Sequence, residues 1–211
     1  LALLGENGAG KTTLMNILYG IHEPTNGEVY IRGRKVERFS PKTAISMGVG
    51  MVHQHFMLVP SFTVAQNIVM SREPRRLGVL FDNKAAEAAA QKLVEEYGLV
   101  VDPAAVVREI GVGLQQRVEI LKTLYRGADI LILDEPLSGV DVEGMSLLMD
   151  MLDEIRKKFD LSILMTTHDF SMLERYCDQV VLLQGKILRR GTPLDVLSSD
   201  EFAKAFHMGG G

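Results

Sequence analysis

Residues 1–12 read Leu1-Ala2-Leu3-Leu4-Gly5-Glu6-Asn7-Gly8-Ala9-Gly10-Lys11-Thr12. From Gly5 onward the stretch fits the pattern G-x-x-x-x-G-K-[ST] without a mismatch, and the apolar run before it is typical of a buried strand. Glycines in such a strand-to-helix turn let successive backbone N–H groups point inward around phosphate oxygens. The stretch therefore predicts a phosphate-binding loop, or P-loop, for a nucleoside triphosphate.

The side chains of the P-loop suit the same ligand. Lys11 adds a point charge on the terminal phosphates, the Thr12 hydroxyl can ligate Mg²⁺, and the following helix directs its positive end at the anion. A glycine-rich turn that matched by chance would leave both the Lys-Thr pair and the preceding strand unexplained. The expected nucleotide-binding residues of this region are Gly5, Glu6, Asn7, Gly8, Ala9, Gly10, Lys11, Thr12 and Thr13.

Composition narrows the class of protein. The chain has 211 residues, a net charge of -4 and a pI near 5.8, which argues against a large nucleic-acid-binding surface. One cysteine, Cys177, excludes an internal disulfide and fits a reducing compartment. No apolar run approaches the length of about 18 residues that spans a bilayer, so any membrane role must go through a partner.

Apolar strands alternate with helices, which predicts a mainly parallel sheet. Strands are expected at 1–4, 49–52, 130–133 and 163–165, with antiparallel hairpins at 28–36 and 180–188. Helices are expected at 63–70, 82–97, 114–125, 142–159 and 170–176, with a short one from Asp102-Pro103. We therefore expect one domain over 1–211, with a P-loop core in 1–60 and 126–211 and an inserted helical subdomain in 61–125.

Two carboxylates follow the apolar run at 130–133 directly, in Asp134-Glu135-Pro136. The carboxyl end of a central strand is where α/β proteins keep their ligands. Asp134 would hold Mg²⁺, directly or through water, and Glu135 would then polarise the attacking water. An acidic loop after a strand is common and often has no catalytic role. A loop without such a role is not expected here, because the same chain has a P-loop.

Five motifs occur in the order typical of the ATP-binding subunits of ABC transporters, and the chain resembles that family over essentially its whole length. They are the P-loop, Gln54 at the end of a strand, Leu133-Asp134-Glu135-Pro136, Ser138-Gly139-Val140-Asp141 and Thr166-Thr167-His168-Asp169. The resemblance implies an α/β P-loop NTPase (RecA-like) core with a mainly parallel sheet, an inserted helical subdomain and a small antiparallel β part.

Roles for individual residues are also implied by this resemblance. Gln54 would sense the γ-phosphate and Mg²⁺, His168 would contact the γ-phosphate, and Asp141 would belong to a loop that crosses a dimer interface. Taken alone, His168 would more often be a structural histidine. The expected catalytic residues are Glu135, His168, Lys11 and Gln54, and the expected Mg²⁺ ligands are Thr12, Gln54 and Asp134. No other metal is expected in the chain.

The segment that corresponds to the family's signature departs from it. Where the family ordinarily has Leu-Ser-Gly-Gly-Gln, this chain has Ile110-Gly111-Val112-Gly113-Leu114. The family uses the segment to cap the γ-phosphate bound by the opposite protomer, so we assign Gly111 and Gly113 to the nucleotide site, together with Asp141 of the loop that crosses the dimer interface. Loss of one preorganised donor can lower a rate by about 10²–10³, which leaves slow hydrolysis open.

A second departure concerns the start of the chain, which begins inside the P-loop strand. Family members present an aromatic residue ahead of that strand to stack on adenine, so we expect N-terminal strands to be missing. The stretch from residues 50–60 through 116–121 resembles the ATP-binding subunits of importers of nucleosides and simple sugars. The chain from Leu137 onward resembles more the ATP-binding subunits of zinc or manganese importers.

The resemblance implies a subunit that binds ATP and Mg²⁺, pairs head to tail with a second ATPase domain and powers a transmembrane permease from the cytoplasmic face of the membrane. Nucleosides or sugars are the expected cargo, and a zinc or manganese importer is an alternative. A second alternative is a nucleotide-binding module with a degenerate signature and little turnover of ATP. An ATPase of DNA repair or translation is disfavoured by the acidic charge and the absence of a long coiled-coil insertion, so no nucleic-acid partner is expected.

Overall fold

A computed structural model describes residues 1–76, 78–140 and 142–206. The strands are β1 (Ala2–Leu4), β2 (Tyr30–Ile31), β3 (Arg34–Lys35), β4 (Val49–Val52), β5 (Arg75–Arg76), β6 (Leu80–Phe81), β7 (Ile130–Leu133), β8 (Ser162–Thr167), β9 (Val180–Leu183) and β10 (Ile187–Gly191). The helices are α1 (Lys11–Leu18), α2 (Pro41–Ser46), α3 (Val64–Val69), α4 (Asn83–Tyr97), α5 (Val112–Tyr125), α6 (Val142–Phe159), α7 (Leu173–Tyr176), α8 (Pro193–Leu197) and α9 (Asp200–Ala205).

Two compact units make up the chain. The first, here called the sheet unit, contains Leu1–Gln54, Ile130–Ser138 and Leu161–Gly211. The second, the helical unit, contains His55–Asp129 and Gly139–Asp160. No helix among the described residues combines the length and apolar character needed to cross a membrane.

The sheet unit is built on six strands in the order β10-β9-β1-β8-β7-β4, of which only β10 runs antiparallel to its neighbour. β1 and β4 are buried along their whole length, as expected for strands covered on both faces. The prediction of a mainly parallel sheet is confirmed. Because parallel strands end at one edge, the segments that follow β1, β7 and β8 meet there, with β8 between the other two strands.

Short polar signals set the ends of several helices. The Ser40 side chain accepts a hydrogen bond from the Thr43 amide at the start of α2, and Thr63 forms a capping box with Gln66 at the start of α3. In α4, Asp82 caps the first turn and Gly98 ends the helix with a φ of 69°. α3 and α4 start within one residue of their predicted positions because their caps are local in sequence.

Three predicted helices differ from the structure, and one hairpin was not predicted. Asp102 does not begin a helix; its carboxylate accepts from the Ala104 amide at 2.9 Å and forms a turn, and a 3₁₀ helix follows at Val107–Glu109. α7 begins at Leu173 rather than Phe170, because the Asp169 carboxylate accepts from the Ser171 amide at 2.8 Å and holds a turn there. The β5–β6 hairpin was not predicted. α5 begins at Val112 rather than at residue 114; within it Val118, Leu121 and Leu124 are buried and Leu114 is half-buried.

The grouping of α6 also differs from the expected core range of 126–211. The Phe159 ring at the end of α6 lies 4.3 Å from the Tyr97 ring of α4, between centroids, and Lys158 donates to the Glu96 carbonyl at 2.9 Å. α6 therefore packs within the helical unit. The division of the chain into a P-loop core and an inserted subdomain remains a prediction.

Candidate functional site

The P-loop follows β1 and has the backbone shape that its glycines permit. Gly10 has a φ of 97°, in the left-handed region that favours glycine. A Cβ on Gly5 would lie 2.5 Å from the carbonyl oxygen of Leu183, which excludes any side chain unless the backbone moves. Both outer glycines of the motif are therefore required by the fold itself, before any ligand is considered.

The N-terminus of α1 opens at this loop. Gly10 is the N-cap residue and has no side chain to cap the helix, and the first intrahelical bond runs from the Leu14 amide to the Gly10 carbonyl at 3.0 Å. The amides of Lys11, Thr12 and Thr13 precede that bond, so they have no partner inside the helix. Such a helix end favours an anion.

The Lys11 side chain is fixed by hydrogen bonds to the P-loop backbone. Its side chain is 6% exposed, and Nζ donates to the Gly5 carbonyl at 2.7 Å and the Glu6 carbonyl at 3.1 Å. The same Nζ lies 3.1 Å from Oε1 of Glu135, whose side chain is 10% exposed. The ammonium is thus fixed between the P-loop backbone and the carboxylate that follows β7.

Asp134 and Glu135 are organised by a residue of the neighbouring strand. The Thr166 hydroxyl donates to Oδ1 of Asp134 at 2.7 Å and accepts from the Glu135 amide at 2.8 Å. The Thr12 hydroxyl lies 3.4 Å from the same Oδ1. No role was predicted for Thr166, although a threonine directly after the apolar run at 163–165 is a signal of a strand end that faces a site.

Glu135 has its second oxygen in contact with His168. Oε2 lies 2.9 Å from Nδ1 of the imidazole, which is itself 57% exposed. Glu135 also has a φ of 48°, an unfavourable conformation for a non-glycine residue that costs of order 1–3 kcal/mol and recurs at functional sites. The carboxylate is therefore held through both oxygens, by Lys11 and by His168.

These residues line one pocket of about 340 Å³ in the sheet unit. Its lining comprises Asn7, Gly8, Gly10, Lys11, Thr12, Thr13, Gln54, Glu135, Ser138 and His168. Asp134 lies behind the lining at 4% exposure, beside Thr12. Gly5, Glu6 and Ala9 do not line the pocket: Gly5 is buried, Glu6 is exposed, and the Ala9 carbonyl accepts from the Gly185 amide at 2.9 Å. Ser138 was not predicted as a site residue.

The other predicted nucleotide ligands lie in the helical unit or outside the described residues. Gly111 is the N-cap of α5 and has no side-chain cap, and Gly111 and Gly113 line a mostly apolar pocket of about 260 Å³ together with Leu114, Val140 and Leu147. Neither glycine is among the residues that line the pocket at Lys11. Asp141 lies outside the described residues.

The chemistry of the larger pocket suits a phosphate chain with a hard cation. Across 1–76, 78–140 and 142–206, no group of three or more His, Cys, Asp or Glu side chains is arranged to hold a metal ion. Mg²⁺ is usually bound by one or two carboxylates together with substrate phosphates and needs no such cluster. The neighbouring oxygens of Thr12 and Asp134 fit that mode of binding.

Solved structures of similar fold support this description. The fold matches cbiO1 from Clostridium perfringens, described as part of the ABC transporter complex cbiONQ, with a TM-score of 0.79, 26% identity and coverage of 99% of this chain and 82% of that chain. It also matches the ADP conformation of an ATP-binding cassette of an ABC transporter, with a TM-score of 0.84, 21% identity and coverage of 99% and 87%. The predicted fold class, a P-loop NTPase, is confirmed.

Curated relatives are similar over nearly all of this chain. The nucleoside import ATP-binding protein NupA of Lactococcus lactis is 47% identical over 93% of this chain and 37% of its own length. The guanosine import ATP-binding protein NupO of Bacillus subtilis is 47% identical over 94% and 39%, and the ribose import ATP-binding protein RbsA of Rhodopirellula baltica is 37% identical over 96% and 39%. The chain thus spans about two fifths of the length of these relatives.

The resemblance of the second half to zinc or manganese importers is not supported by these relatives, whose matches extend over both halves. The family model described as ABC transporter matches residues 1–138, which is more than half of the 211 residues. On this match, the chain belongs to the ABC transporter family.

Proposed function

We propose that the chain binds ATP with Mg²⁺ and hydrolyses it to power a membrane permease that imports nucleosides or sugars. The observation that carries the proposal is the Lys11–Glu135–His168 network at a pocket lined by the P-loop. The names of the nucleoside, guanosine and ribose import relatives supply the class of cargo.

Phosphate binding falls to the P-loop and the start of α1. The backbone amides at the helix N-terminus and the Lys11 ammonium supply positive charge, and the surrounding pocket is large enough for the terminal phosphates. The Thr12 hydroxyl, the Asp134 carboxylate and Gln54 are the proposed Mg²⁺ ligands, directly or through water. Mg²⁺ supplies charge neutralisation on the phosphates.

Glu135 is the proposed general base. Hydrolysis requires a water to attack the γ-phosphorus while the bond to the β-phosphate oxygen breaks, and a nearby carboxylate orients this water and accepts its proton. The two contacts to Glu135 fix the direction in which its carboxylate faces. His168 borders the same pocket and is the proposed contact to the γ-phosphate.

The remaining predicted ligands act in trans in this proposal. Gly111, Gly113 and Asp141 would face the nucleotide bound by a second ATPase domain, in a head-to-tail pair. The pair would act at the cytoplasmic face of the membrane through the permease. Gln54 and the loop that follows it would couple the pocket to that partner.

Phosphate release from Mg·ATP across a range of protein concentrations tests the proposal, with Glu135→Gln as the control that lacks the base. We expect turnover that rises more steeply than protein concentration and falls by about 10²–10⁴ in Glu135→Gln. Equal rates for the two proteins, each shown to be folded and to bind ATP, would remove Glu135 as the base. No turnover by the wild-type protein would refute the proposed activity.

A further inference from the structure

A buried ion pair on α5 takes no part in the chemistry described above. Nζ of Lys122 lies 3.5 Å from Oε1 of Glu119, and the two side chains are only 7% and 5% exposed. Burial lowers the pKa of Lys122, while the charge of Glu119 opposes that shift. Replacing a buried ion pair with apolar residues of similar volume is often neutral or stabilising, so stability alone does not account for this pair.

The ammonium of Lys122 also reaches a distant part of the chain. Nζ donates to the carbonyl oxygen of Met57 at 2.6 Å, a short charge-assisted hydrogen bond. Met57 belongs to the segment that begins directly after Gln54, and its own side chain is 63% exposed. The ion pair therefore fixes the backbone at Met57, while the Met57 side chain faces solvent.

A second buried polar side chain fixes the next residues of the same segment. Asn67 is 0% exposed; its Oδ1 accepts from the Val59 amide at 2.8 Å, and its Nδ2 donates to the Val59 carbonyl at 3.1 Å. The Arg108 amide donates to the Pro60 carbonyl at 3.0 Å. The backbone of 57–60 is thus bonded to three separate places in the helical unit.

We propose that Lys122, neutralised by Glu119, is a positioning residue that anchors the segment after Gln54 to α5. The inference rests on the proposed function, in which this segment couples the nucleotide pocket to the permease. The Lys122 hydrogen bond makes Met57 move with α5, and the Asn67 hydrogen bonds make Val59 move with α3, so that a displacement of these helices is transmitted to the chain next to Gln54. Without the Lys122 hydrogen bond, Met57 is no longer tied to α5.

The test separates anchoring from simple stabilisation. Lys122→Met leaves a buried unpaired carboxylate and should destabilise the fold, whereas Glu119→Leu/Lys122→Met removes both charges and should recover most of that stability. In this double variant the Met57 carbonyl loses the hydrogen bond that Lys122 donates, and no buried charge is left unpaired. Lys122→Arg keeps a charged donor, and Lys157→Met, which breaks an exposed ion pair on α6, is the control.

Hydrogen–deuterium exchange of peptides covering 57–62 gives a readout that needs no catalysis. We expect exchange about tenfold faster in the double variant at a urea midpoint close to that of wild type, as follows from the loss of one charge-assisted hydrogen bond, and near wild-type exchange in Lys122→Arg and Lys157→Met. Wild-type protection in the double variant would overturn the proposal. So would faster exchange throughout the helical unit, since the pair would then serve the fold alone.

Turnover of Mg·ATP supplies the functional half of the test. The double variant should lower kcat by several-fold, with the Kd for ATP unchanged, because the pocket residues themselves are intact. If wild-type protein lacked turnover, the proposed function would fail while the exchange experiment still decided whether Lys122 anchors the segment. If the segment loosened without any change in kcat, the link to Gln54 would be refuted.

Discussion

The Thr166 hydroxyl donates to the Asp134 carboxylate at 2.7 Å across two adjacent strands of the central sheet. The same oxygen accepts the amide hydrogen of Glu135 at 2.8 Å, so one uncharged side chain sets both the carboxylate proposed to hold Mg²⁺ and the backbone of the proposed base. Both partners are buried, Thr166 at 0% and Asp134 at 4% exposure, which makes the bond costly to lose.

Thr166→Val should therefore impair hydrolysis more than nucleotide binding. The substitution keeps the shape of the side chain but leaves Oδ1 and the Glu135 amide without this partner, at a cost of about 1–3 kcal/mol in unfolding free energy. Misplacement of the two carboxylates should lower kcat by up to about 10²-fold. Steady-state kinetics at several Mg²⁺ concentrations, together with urea unfolding, would measure both effects. Thr166→Ser retains the hydroxyl, and a comparable loss in that variant would contradict this explanation.

His168→Ala should separate catalysis from stability. The imidazole is 57% exposed, and substitutions at such surface positions usually change unfolding free energy by less than about 0.5 kcal/mol. The loss of its contact to Glu135 and to the γ-phosphate should lower kcat by about 10²–10³. His22→Ala, at another exposed histidine outside the pocket, is the matched control. Equal rates for the two variants would show that His168 has no part in the chemistry.

The sequence could predict those features that depend on residues close together in the chain, and not those that depend on residues far apart in it. The P-loop, the strand that precedes it and the cap at Thr63 depend on neighbours within a few residues, so their patterns are readable. Thr166 acquires its role only because β8 lies between β1 and β7, which is a property of the sheet order. Likewise, Glu119 and Lys122 read as ordinary charged residues of a helix, and the fold alone shows that they are buried.

The acid stability of the helical unit should depend in part on Asp153. Its carboxylate accepts from Lys157 at 2.6 Å and from Arg156 at 2.9 Å, and these hydrogen bonds lower the pKa of Asp153 below its usual 3.8. Because the folded-state pKa is the lower one, the stabilisation is fully present above about pH 3.8 and is lost as pH falls through the folded-state pKa.

Asp153→Asn should accordingly lower the unfolding free energy near pH 6 by about 0.2–1 kcal/mol, the range for partly exposed pairs. Urea unfolding of both proteins between pH 6 and pH 3 should show the difference shrinking as the acid limit is approached. A difference that stayed constant or grew towards low pH would have the opposite sign from the one expected for a carboxylate with a lowered pKa.

Gly111→Ser tests whether the altered signature limits turnover. Gly111 has a φ of -66° and a ψ of 162°, an extended conformation open to any L-residue, and a Cβ built there meets nothing within 4 Å. The new hydroxyl would occupy the N-cap of α5, where serine and glycine differ by only a few tenths of a kcal/mol. Stability should therefore stay nearly constant.

The rate of ATP hydrolysis by Gly111→Ser should rise, by as much as about 10²–10³, if the family's use of this serine as a donor to the partner's γ-phosphate applies to this chain. Val112→Ser places the same hydroxyl one residue further along, at an exposed position past the N-cap, and should leave the rate unchanged. Phosphate release at high protein concentration, where the pair of domains forms, is the measurement. An unchanged rate in Gly111→Ser would mean that the backbone amides at the start of α5 suffice, and that the glycine does not mark a degenerate site.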